Sequence, residues 1–505
     1  MSCTTILVGK NASYDGSPLI ARNEDSGNGE FNPKRIVLVH PDEQPRAYTS
    51  VLGHLTVELP DEPLRYTAAP NAILDDGVWG EAGINAANVS MSATETLTTN
   101  ERVLGADPFV VYRAGHGTPG DADFEPERPG GIGEEDFLTL VLPYIRTARE
   151  GVLRLGALLE RYGTYEMNGV AFGDADEIWW LETVGGHHWI AKRVPDDVYV
   201  TMPNQLGIDA FDLDDALGEG REHLASADLR EFIAENFLDL ALDGALNPRV
   251  AFGSHSDVDH VYNTPRAWDM QRTLNPSSGE WDGPAPRYTP ASDDLPWARR
   301  PERKLTIEDV KQVLSSHYQG TPYDPYSHEG TAAQRGLLRP IGINRHSQLS
   351  ILQVRPYRPA ASRAIQWVAF ASNPFNTLIP LFTDVDAMPA YVSETTARVS
   401  TDDFYWASRL IAVLADAHFD DLIPEVERYQ QATLAAGHAG VRQADAALDA
   451  DAADGSVGED PVRRRLEAAN EAIAQTLKAA TDELLGRLLL MASNRMRNRF
   501  SRSDF

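Results

Sequence analysis

The chain contains 505 residues, 42% of them hydrophobic, and carries a formal net charge of −30 at pH 7. This charge disfavours nucleic acids and anionic membrane surfaces as partners, because both would repel the protein. A single cysteine excludes an intrachain disulfide framework. No stretch approaches the roughly 18 apolar residues of a membrane span, and no basic, apolar leader is present. We therefore expect a cytoplasmic protein without nucleic-acid or membrane partners, and we also expect a homo-oligomer.

The first third of the chain predicts strands followed by helices. Residues 3–9 and 17–23 are rich in β-branched and aliphatic side chains and predict a hairpin, because a turn separates them. Residues 88–94 alternate apolar with small polar side chains, which is typical of a strand with one buried face. Residues 134–162 contain two helical patterns, with a predicted break near Gly151.

Further strands are predicted in the middle of the chain and near residue 350. They lie at residues 169–173, 177–183, 189–193, 199–202, 349–354 and 365–371. Helical patterns are found at 221–242 and at 306–318. Groups of strands with helices before and after them favour two sheets covered by helical layers.

The last hundred residues predict helices. A helix over 424–436 is predicted to end at Gly437, because glycine commonly follows a helix. Residues 437–460 are rich in Ala, Asp and Gly and predict a connector, and 461–498 predict a long helix.

These elements together predict the fold class. We expect an α+β protein with an αββα sandwich, in which two antiparallel sheets lie between helical layers. The predicted catalytic domain covers residues 3–400. A helical C-terminal extension over 401–498 is expected to pack on it.

The only cysteine, Cys3, directly precedes an apolar strand-like run. If Cys3 becomes the mature N-terminus, one Cα bears both its thiol and its α-amine. Their unperturbed pKa values are about 8.5 and about 7.7–8.0, so the amine can accept the thiol proton directly or through one water. Such a nucleophile–amine pair activates a weak nucleophile without a histidine. The alternative is a buried, inert cysteine that packs as a small hydrophobic residue.

The amine can act in this way only after Met1 and Ser2 have been removed. Removal of Met1 is favoured because Ser2 is small. Removal of Ser2 requires another aminopeptidase or attack by Cys3 on its own preceding peptide bond, and the sequence leaves both routes open.

Several short motifs follow Cys3-Thr4-Thr5 along the chain. They are Arg22-Asn23-Glu24-Asp25, Gly83-Ile84-Asn85, the run from Asn88 to Thr96, Val200-Thr201-Met202-Pro203-Asn204-Gln205, Gly320-Thr321-Pro322-Tyr323-Asp324-Pro325 and Asn344-Arg345-His346-Ser347-Gln348. Their order and spacing resemble the bacterial dipeptidase branch of the N-terminal-nucleophile (Ntn) hydrolases, a superfamily that includes penicillin V acylase, bile salt hydrolase and the secernins. The resemblance runs from Cys3 to about Trp406 and implies a small peptide as substrate.

The resemblance implies catalytic roles for four residues besides Cys3. Arg22 would steady the nucleophile, since a guanidinium favours the charged form of a thiol, and Asp25 would bind the α-amine. Asn204 would donate to the oxyanion, which needs donors in place before its charge develops. Arg345 would stabilise the thiolate or bind the substrate's carboxylate. Without the resemblance, the same residues are interpreted as ion pairs and a turn-forming asparagine.

Asn85 and Glu95 are the predicted substrate-binding residues. The acylase relatives carry an asparagine as second oxyanion donor where this chain has Glu95. We therefore predict that Glu95 pairs with the α-ammonium of a peptide, and the second oxyanion donor stays open.

Signatures of other chemistries are missing from the sequence. No papain-type or caspase-type pattern surrounds Cys3, and the chain has no HExxH, paired cysteines, EF-hand loop or P-loop. We therefore expect neither a metal nor a cofactor. The predicted function is that of a cysteine dipeptidase acting through a thioester acyl-enzyme. The alternatives are an N-acyl amide hydrolase of the penicillin or bile-acid type and a catalytically silent scaffold of the same fold.

Overall fold

The computed structural model describes residues 3–27, 30–242, 244–453 and 458–498. For Thr94, Glu95 and Glu459 it describes the backbone but not the side chain. Met1 and Ser2, whose removal the sequence predicts, lie outside the described residues.

Strands and shorter helices are interspersed through the first four-fifths of the chain, and long helices follow them. The strands are β1 (Cys3–Val8), β2 (Leu19–Asp25), β3 (Val37–Val39), β4 (Ala47–Thr49), β5 (Thr56–Glu58), β6 (Tyr66–Ala68), β7 (Ala82–Ile84), β8 (Ser90–Thr96), β9 (Asn168–Gly173), β10 (Ile178–Thr183), β11 (Trp189–Arg193), β12 (Tyr199–Met202), β13 (His223–Ala225), β14 (Ala298–Arg299), β15 (His346–Val354), β16 (Ala364–Phe370) and β17 (Ile379–Phe382). The helices are α1 (Glu101–Ala106), α2 (Glu134–Val141), α3 (Ala148–Tyr162), α4 (Leu213–Ala216), α5 (Leu229–Glu235), α6 (Pro248–Phe252), α7 (Asp259–Tyr262), α8 (Thr264–Leu274), α9 (Ile307–Val313), α10 (Ala360–Arg363), α11 (Ala390–Ser393), α12 (Phe404–Ala417), α13 (Phe419–Ala453) and α14 (Glu459–Ser493).

Two antiparallel sheets form the centre of the molecule. Within the described ranges, one sheet has seven strands in the order β14-β12-β1-β2-β15-β16-β17, and the other has six in the order β13-β11-β10-β9-β8-β7. Their neighbouring strands run antiparallel. The predicted α+β class is therefore confirmed, as is the hairpin formed by β1 and β2.

The two sheets face each other and carry helices on their outer faces. Ile20 of β2 and Trp180 of β10 belong to one buried apolar cluster, which fills the space between the sheets. Phe172 of β9 points outward and packs in a second cluster with α2 and α3. Ile351 of β15 and Val441 of α13 share a third cluster on the outer face of the seven-stranded sheet. The proposed domain boundary at residue 400 stays a prediction.

Two predicted helix breaks at glycines are wrong, because both glycines are sites of close packing. Helix α3 continues through Gly151, and the break within 134–162 comes at the 3₁₀ turn Leu142–Tyr144. A Cβ at Gly151 would collide with the ring of Phe172. Helix α13 likewise continues through Gly437, where a Cβ would lie 2.9 Å from Cδ of Pro380.

The helix predicted over 221–242 is also largely wrong. That segment contains the short strand β13, which pairs with β11, and only the seven-residue helix α5. Pairing with the edge of the six-stranded sheet overrides the local helical pattern. Among the helices of the described ranges, none combines the length and apolar character that crossing a membrane requires.

We expect Gly151→Ala to lower the free energy of unfolding by about 1–3 kcal/mol, because a methyl group there overpacks the interface between α3 and β9. Gly486→Ala is the matched control in α14, since an added Cβ there meets nothing within 4 Å. It should raise the free energy of unfolding by about 0.5–1 kcal/mol. Urea unfolding of both variants measures the two effects. Equal effects would contradict the packing role of Gly151.

Candidate active site

Cys3 is the first residue of β1, which lies between β12 and β2 in the seven-stranded sheet. Its side chain is fully buried. Its backbone N–H donates to Oδ1 of Asn204, which follows β12, over 3.3 Å. The sheet therefore fixes the thiol inside the protein.

Arg22 is brought to Cys3 by the register of the β1–β2 hairpin. Cys3 pairs with Glu24 and Thr5 pairs with Arg22, so all four side chains share the face that meets the other sheet. Nη2 of Arg22 donates to Sγ of Cys3 over 2.7 Å. A guanidinium at this distance favours the thiolate form of cysteine.

Two glutamates hold Arg22 in place. Its Nη2 also donates to Oε1 of Glu134 over 2.7 Å, and its Nη1 is ion-paired with Glu81. Nη1 donates as well to the carbonyl of Ala93 over 2.6 Å. Burial acts to lower the pKa of Arg22, but Cys3, Glu81 and Glu134 raise it well above the usual value. Arg22 therefore stays a cation beside the thiol.

A second buried cation, Lys34, binds the same group of carboxylates. Its Nζ lies 2.7 Å from Oε1 of Glu24 and 3.9 Å from Oε1 of Glu81. Burial and the neighbouring Glu24 raise the pKa of Glu81 well above its usual range, against the effects of Arg22 and Lys34. We call Glu24, Glu81 and Glu134 the acidic cluster; all three are buried.

Asn204 lies next to Cys3 and is oriented by Arg266. Oδ1 of Asn204 accepts from Nη2 of Arg266 over 2.7 Å as well as from the Cys3 N–H. Nδ2 of Asn204 donates to the carbonyl of Thr96 at the end of β8 over 2.8 Å. The amide of Asn204 therefore bridges the two sheets beside the nucleophile.

Arg266 is a site residue that the sequence interpretation missed. It lies in the first turn of α8, is fully buried, and binds the carbonyl of Cys3. It also donates to Oγ1 of Thr4 over 2.7 Å and to Oδ1 of Asn263 over 2.7 Å. The available sequence signal was the Thr264-Pro265 helix start, which indicates where α8 begins but not that its arginine contacts residue 3.

Arg345 is half-buried and is connected to this site through a tyrosine. Its Nη2 donates to the hydroxyl of Tyr262 over 2.6 Å, and its Nη1 donates to the carbonyl of Ser26 over 3.1 Å. The Tyr262 carbonyl in turn accepts from Nε of Arg266 over 2.8 Å. Arg345 thus lies at the edge of the site.

Asp25 lies at the end of β2 with its carboxylate on the face of the sheet opposite Cys3. Its Oδ1 is 2.5 Å from Nδ1 of His346, and its Oδ2 is ion-paired with Arg339. Burial alone would raise the pKa of Asp25, but Arg339 and His346 outweigh it and lower the pKa to about 2. The structure therefore brings Arg22 and Asn204 to the thiol but directs Asp25 toward other partners.

The Asp25 ion pair predicts a pH-dependent contribution to stability. A carboxyl with a pKa of about 2 when folded and about 3.9 when unfolded stabilises the fold fully above pH 5. That contribution, about 2–3 kcal/mol, is lost as the pH falls through 2. We expect the difference in unfolding free energy between wild type and Asp25→Asn to shrink between pH 5 and pH 2. Urea unfolding across this range measures it, and a difference independent of pH would contradict the assignment.

The two predicted substrate-binding residues have different surroundings. Nδ2 of Asn85 donates to the carbonyls of Leu142 and Ile145 over 2.8 Å each. Oδ1 of Asn85 accepts from the backbone N–H groups of Ala87 and Val89. Its amide therefore fixes the turn before β8. The Glu95 backbone pairs with Gly169 of β9, and its side chain lies outside the described part of the chain.

Comparison with known proteins extends over nearly the whole chain. A family model described as Peptidase family C69 matches residues 2–432. A protein named Dipeptidase, from Bifidobacterium longum (strain NCC 2705), is 61% identical over an alignment of 539 positions that covers 100% of both chains. A Probable dipeptidase A of Streptococcus pyogenes serotype M18 is 53% identical, covering 100% of this chain and 98% of its own. Dipeptidase A of Lactobacillus helveticus is 43% identical over 96% of each chain. The chain, in which Cys3 begins the hairpin of β1 and β2, therefore belongs to peptidase family C69.

Proposed function

We propose that the protein is a cysteine dipeptidase and that the Cys3 thiolate is its nucleophile. The family and the names of its relatives supply the reaction class, peptide-bond hydrolysis in dipeptides. The observation that carries the choice of nucleophile is the 2.7 Å contact between Cys3 Sγ and Arg22 Nη2. A buried thiol beside a fixed cation is the environment in which cysteine reacts as a thiolate.

In the proposed mechanism, loss of Met1 and Ser2 exposes the α-amine of Cys3 as the base. The amine takes the thiol proton, and the thiolate attacks the scissile carbonyl carbon. The resulting ammonium then protonates the leaving amine, and a thioester remains. A water molecule gives a proton to the same amine as it attacks the thioester, which releases the N-terminal amino acid and restores the thiol.

Asn204 is the proposed oxyanion donor. Its Oδ1 accepts from Cys3 and Arg266 and its Nδ2 donates to the Thr96 carbonyl, so the amide is held in place beside the nucleophile. Fixed donors of this kind are valuable because they need no reorganisation when negative charge develops. Arg266 is a proposed positioning residue, since it binds both the Cys3 carbonyl and Asn204.

We assign Asp25 and Arg345 to positioning roles at the ends of β2 and β15. Asp25 ties the end of β2 to His346 and Arg339, and Arg345 donates to the Ser26 carbonyl just beyond β2. We also propose that the layered arrangement is the Ntn-hydrolase αββα sandwich. The stacked antiparallel sheets, with Cys3 at the start of an internal strand, support that proposal.

N-terminal sequencing and intact-mass measurement test the requirement for a free amine. We expect the active enzyme to begin at Cys3 and to lack the mass of Met1 and Ser2. The Cys3→Ala chain distinguishes the two routes of maturation, because it keeps Ser2 only if Cys3 cleaves its own leader. Full activity in a chain that still carries Ser2 would overturn the proposed base.

A further inference from the structure

Glu166 is a carboxylate next to the acidic cluster that the proposed mechanism does not use. It lies between α3 and β9 and is half-buried, whereas Glu134 is buried. Its Oε1 accepts from the backbone N–H of Glu134 over 2.8 Å. The carboxylate of Glu134 and Cys3 Sγ are each 2.7 Å from the same Arg22 nitrogen. Glu166 is therefore linked to the thiol through two residues, Glu134 and Arg22, and is the more exposed of the two glutamates.

Asn168 supplies an unused acceptor at the same place. Its Nδ2 lies 3.5 Å from Oε1 of Glu166, and the residue is fully buried at the start of β9. Among the residues that the structure describes, nothing donates a hydrogen bond to its Oδ1. Leaving a buried amide oxygen without a donor costs free energy, so a ligand that brings an N–H group would stabilise this site.

The charges around Arg22 also favour an additional cation. Two cations, Arg22 and Lys34, are ion-paired with the three glutamates of the acidic cluster, and Glu166 adjoins this group through the backbone of Glu134. Burial and the nearby charge of Glu134 raise the pKa of Glu166 to about 6. A cation bound beside these carboxylates would relieve their mutual repulsion.

The covalent geometry of a dipeptide places such a cation close to the reacting atoms. The α-ammonium nitrogen and the scissile carbonyl carbon share one Cα and are about 2.5 Å apart. A thiolate attacks from about 3–3.5 Å. The ammonium of a productively bound dipeptide must therefore lie within about 6 Å of Cys3 Sγ. Oε1 of Glu134 is near that position, because it contacts the same Arg22 nitrogen as Sγ.

We propose that Glu166, together with Glu134 and the Oδ1 of Asn168, binds the α-ammonium of the dipeptide's N-terminal residue. This inference rests on the proposed function and adds the subsite that selects a free amine. An N-acylated substrate brings no positive charge to the Glu166 carboxylate, so it binds more weakly. The role predicted for Glu95 in the sequence is here assigned to Glu166.

Glu166→Gln tests the subsite, with Glu427→Gln on the exposed surface of α13 as the control for loss of one charge. Alanyl-alanine serves as the substrate. Propionyl-alanine, which lacks only the ammonium, is measured as a competitive inhibitor. We expect Glu166→Gln to raise KM for alanyl-alanine about tenfold or more, because a charged hydrogen bond is lost. The inhibition constant of propionyl-alanine should stay unchanged or fall, and Glu427→Gln should change neither value.

The pH dependence of KM provides a second measurement that needs no variant. Protonation of Glu166 removes its attraction for the ammonium, so the wild-type KM for alanyl-alanine should rise as the pH falls below about 6. In Glu166→Gln this rise should be absent. A wild-type KM that does not change with pH would overturn the subsite. So would a Glu166→Gln variant in which the KM of alanyl-alanine and the inhibition constant of propionyl-alanine change by the same factor.

These outcomes are distinguishable from failure of the proposed function. If the function is wrong, alanyl-alanine turnover persists in Cys3→Ala. If only the subsite is wrong, turnover still depends on Cys3, but Glu166→Gln does not discriminate between the two molecules.

Discussion

Cys3→Ala is expected to lower kcat/KM for dipeptide hydrolysis by about 10⁴-fold or more, the usual cost of losing a catalytic nucleophile. The substitution keeps the Cβ of a fully buried residue, so the fold should be preserved. Cys3→Ser is also expected to lose most activity, because a hydroxyl ionises far less readily than a thiol at neutral pH. Steady-state kinetics measures the loss, and thermal unfolding checks the fold.

Alkylation provides the control for the Cys3 variants. Cys3 is the only cysteine in the sequence, so iodoacetamide labelling reports on this thiol alone. Incorporation of one label per chain should parallel the loss of activity. Full activity in a completely labelled enzyme, or in Cys3→Ala, would refute the assignment of the nucleophile.

Arg22→Lys is expected to lower kcat/KM by about 100-fold while preserving most of the stability. Lysine keeps a positive charge between Glu81 and Glu134. It lacks the planar guanidinium of arginine, so it cannot donate to both carboxylates and to Cys3 Sγ at the same time. The midpoint of the pH profile for iodoacetamide alkylation should move to higher pH, because the thiolate is less stabilised. The alkylation rate from pH 5 to pH 10 measures this shift.

Arg22→Gln serves as the comparison, because it removes the charge altogether. The buried carboxylates of Glu81 and Glu134 would then lose their cation, which typically costs about 3–5 kcal/mol of stability. We expect this variant to unfold at clearly lower urea concentration than Arg22→Lys. An alkylation profile in Arg22→Lys that matches the wild type would contradict the role assigned to Arg22.

The pairing of Cys3 with Arg22 could be predicted from the sequence because it depends on a local hairpin. Two short strand patterns joined by a turn fix an antiparallel register, and that register places both side chains on one face. Asn204 was similarly accessible, since it lies two residues beyond the strand that the sequence predicts at 199–202.

The acidic surroundings of Arg22 could not be predicted, because they depend on distant contacts. Glu81 and Glu134 lie 59 and 112 residues beyond Arg22 in the chain. Nothing in their local sequence distinguishes them from exposed glutamates, which are far commoner than buried ones. Arg266 was missed for the same reason, since it is 263 residues from the carbonyl that it binds.

The errors at Gly151 and Gly437 have a different physical origin. Glycine ends helices where a positive φ is needed, and it also occurs inside helices where another element approaches too closely for a Cβ. The sequence alone does not distinguish these uses. At Gly151 the approaching element is Phe172, and at Gly437 it is Pro380.

The position of Cys3 at the head of an internal, fully buried strand restricts how the protein can be engineered. Any affinity tag or fluorescent fusion attached ahead of this residue would have to start from a fully buried position. It would also be discarded on maturation under the proposed mechanism. Purification handles and immobilisation linkers therefore belong at the carboxyl end of the chain.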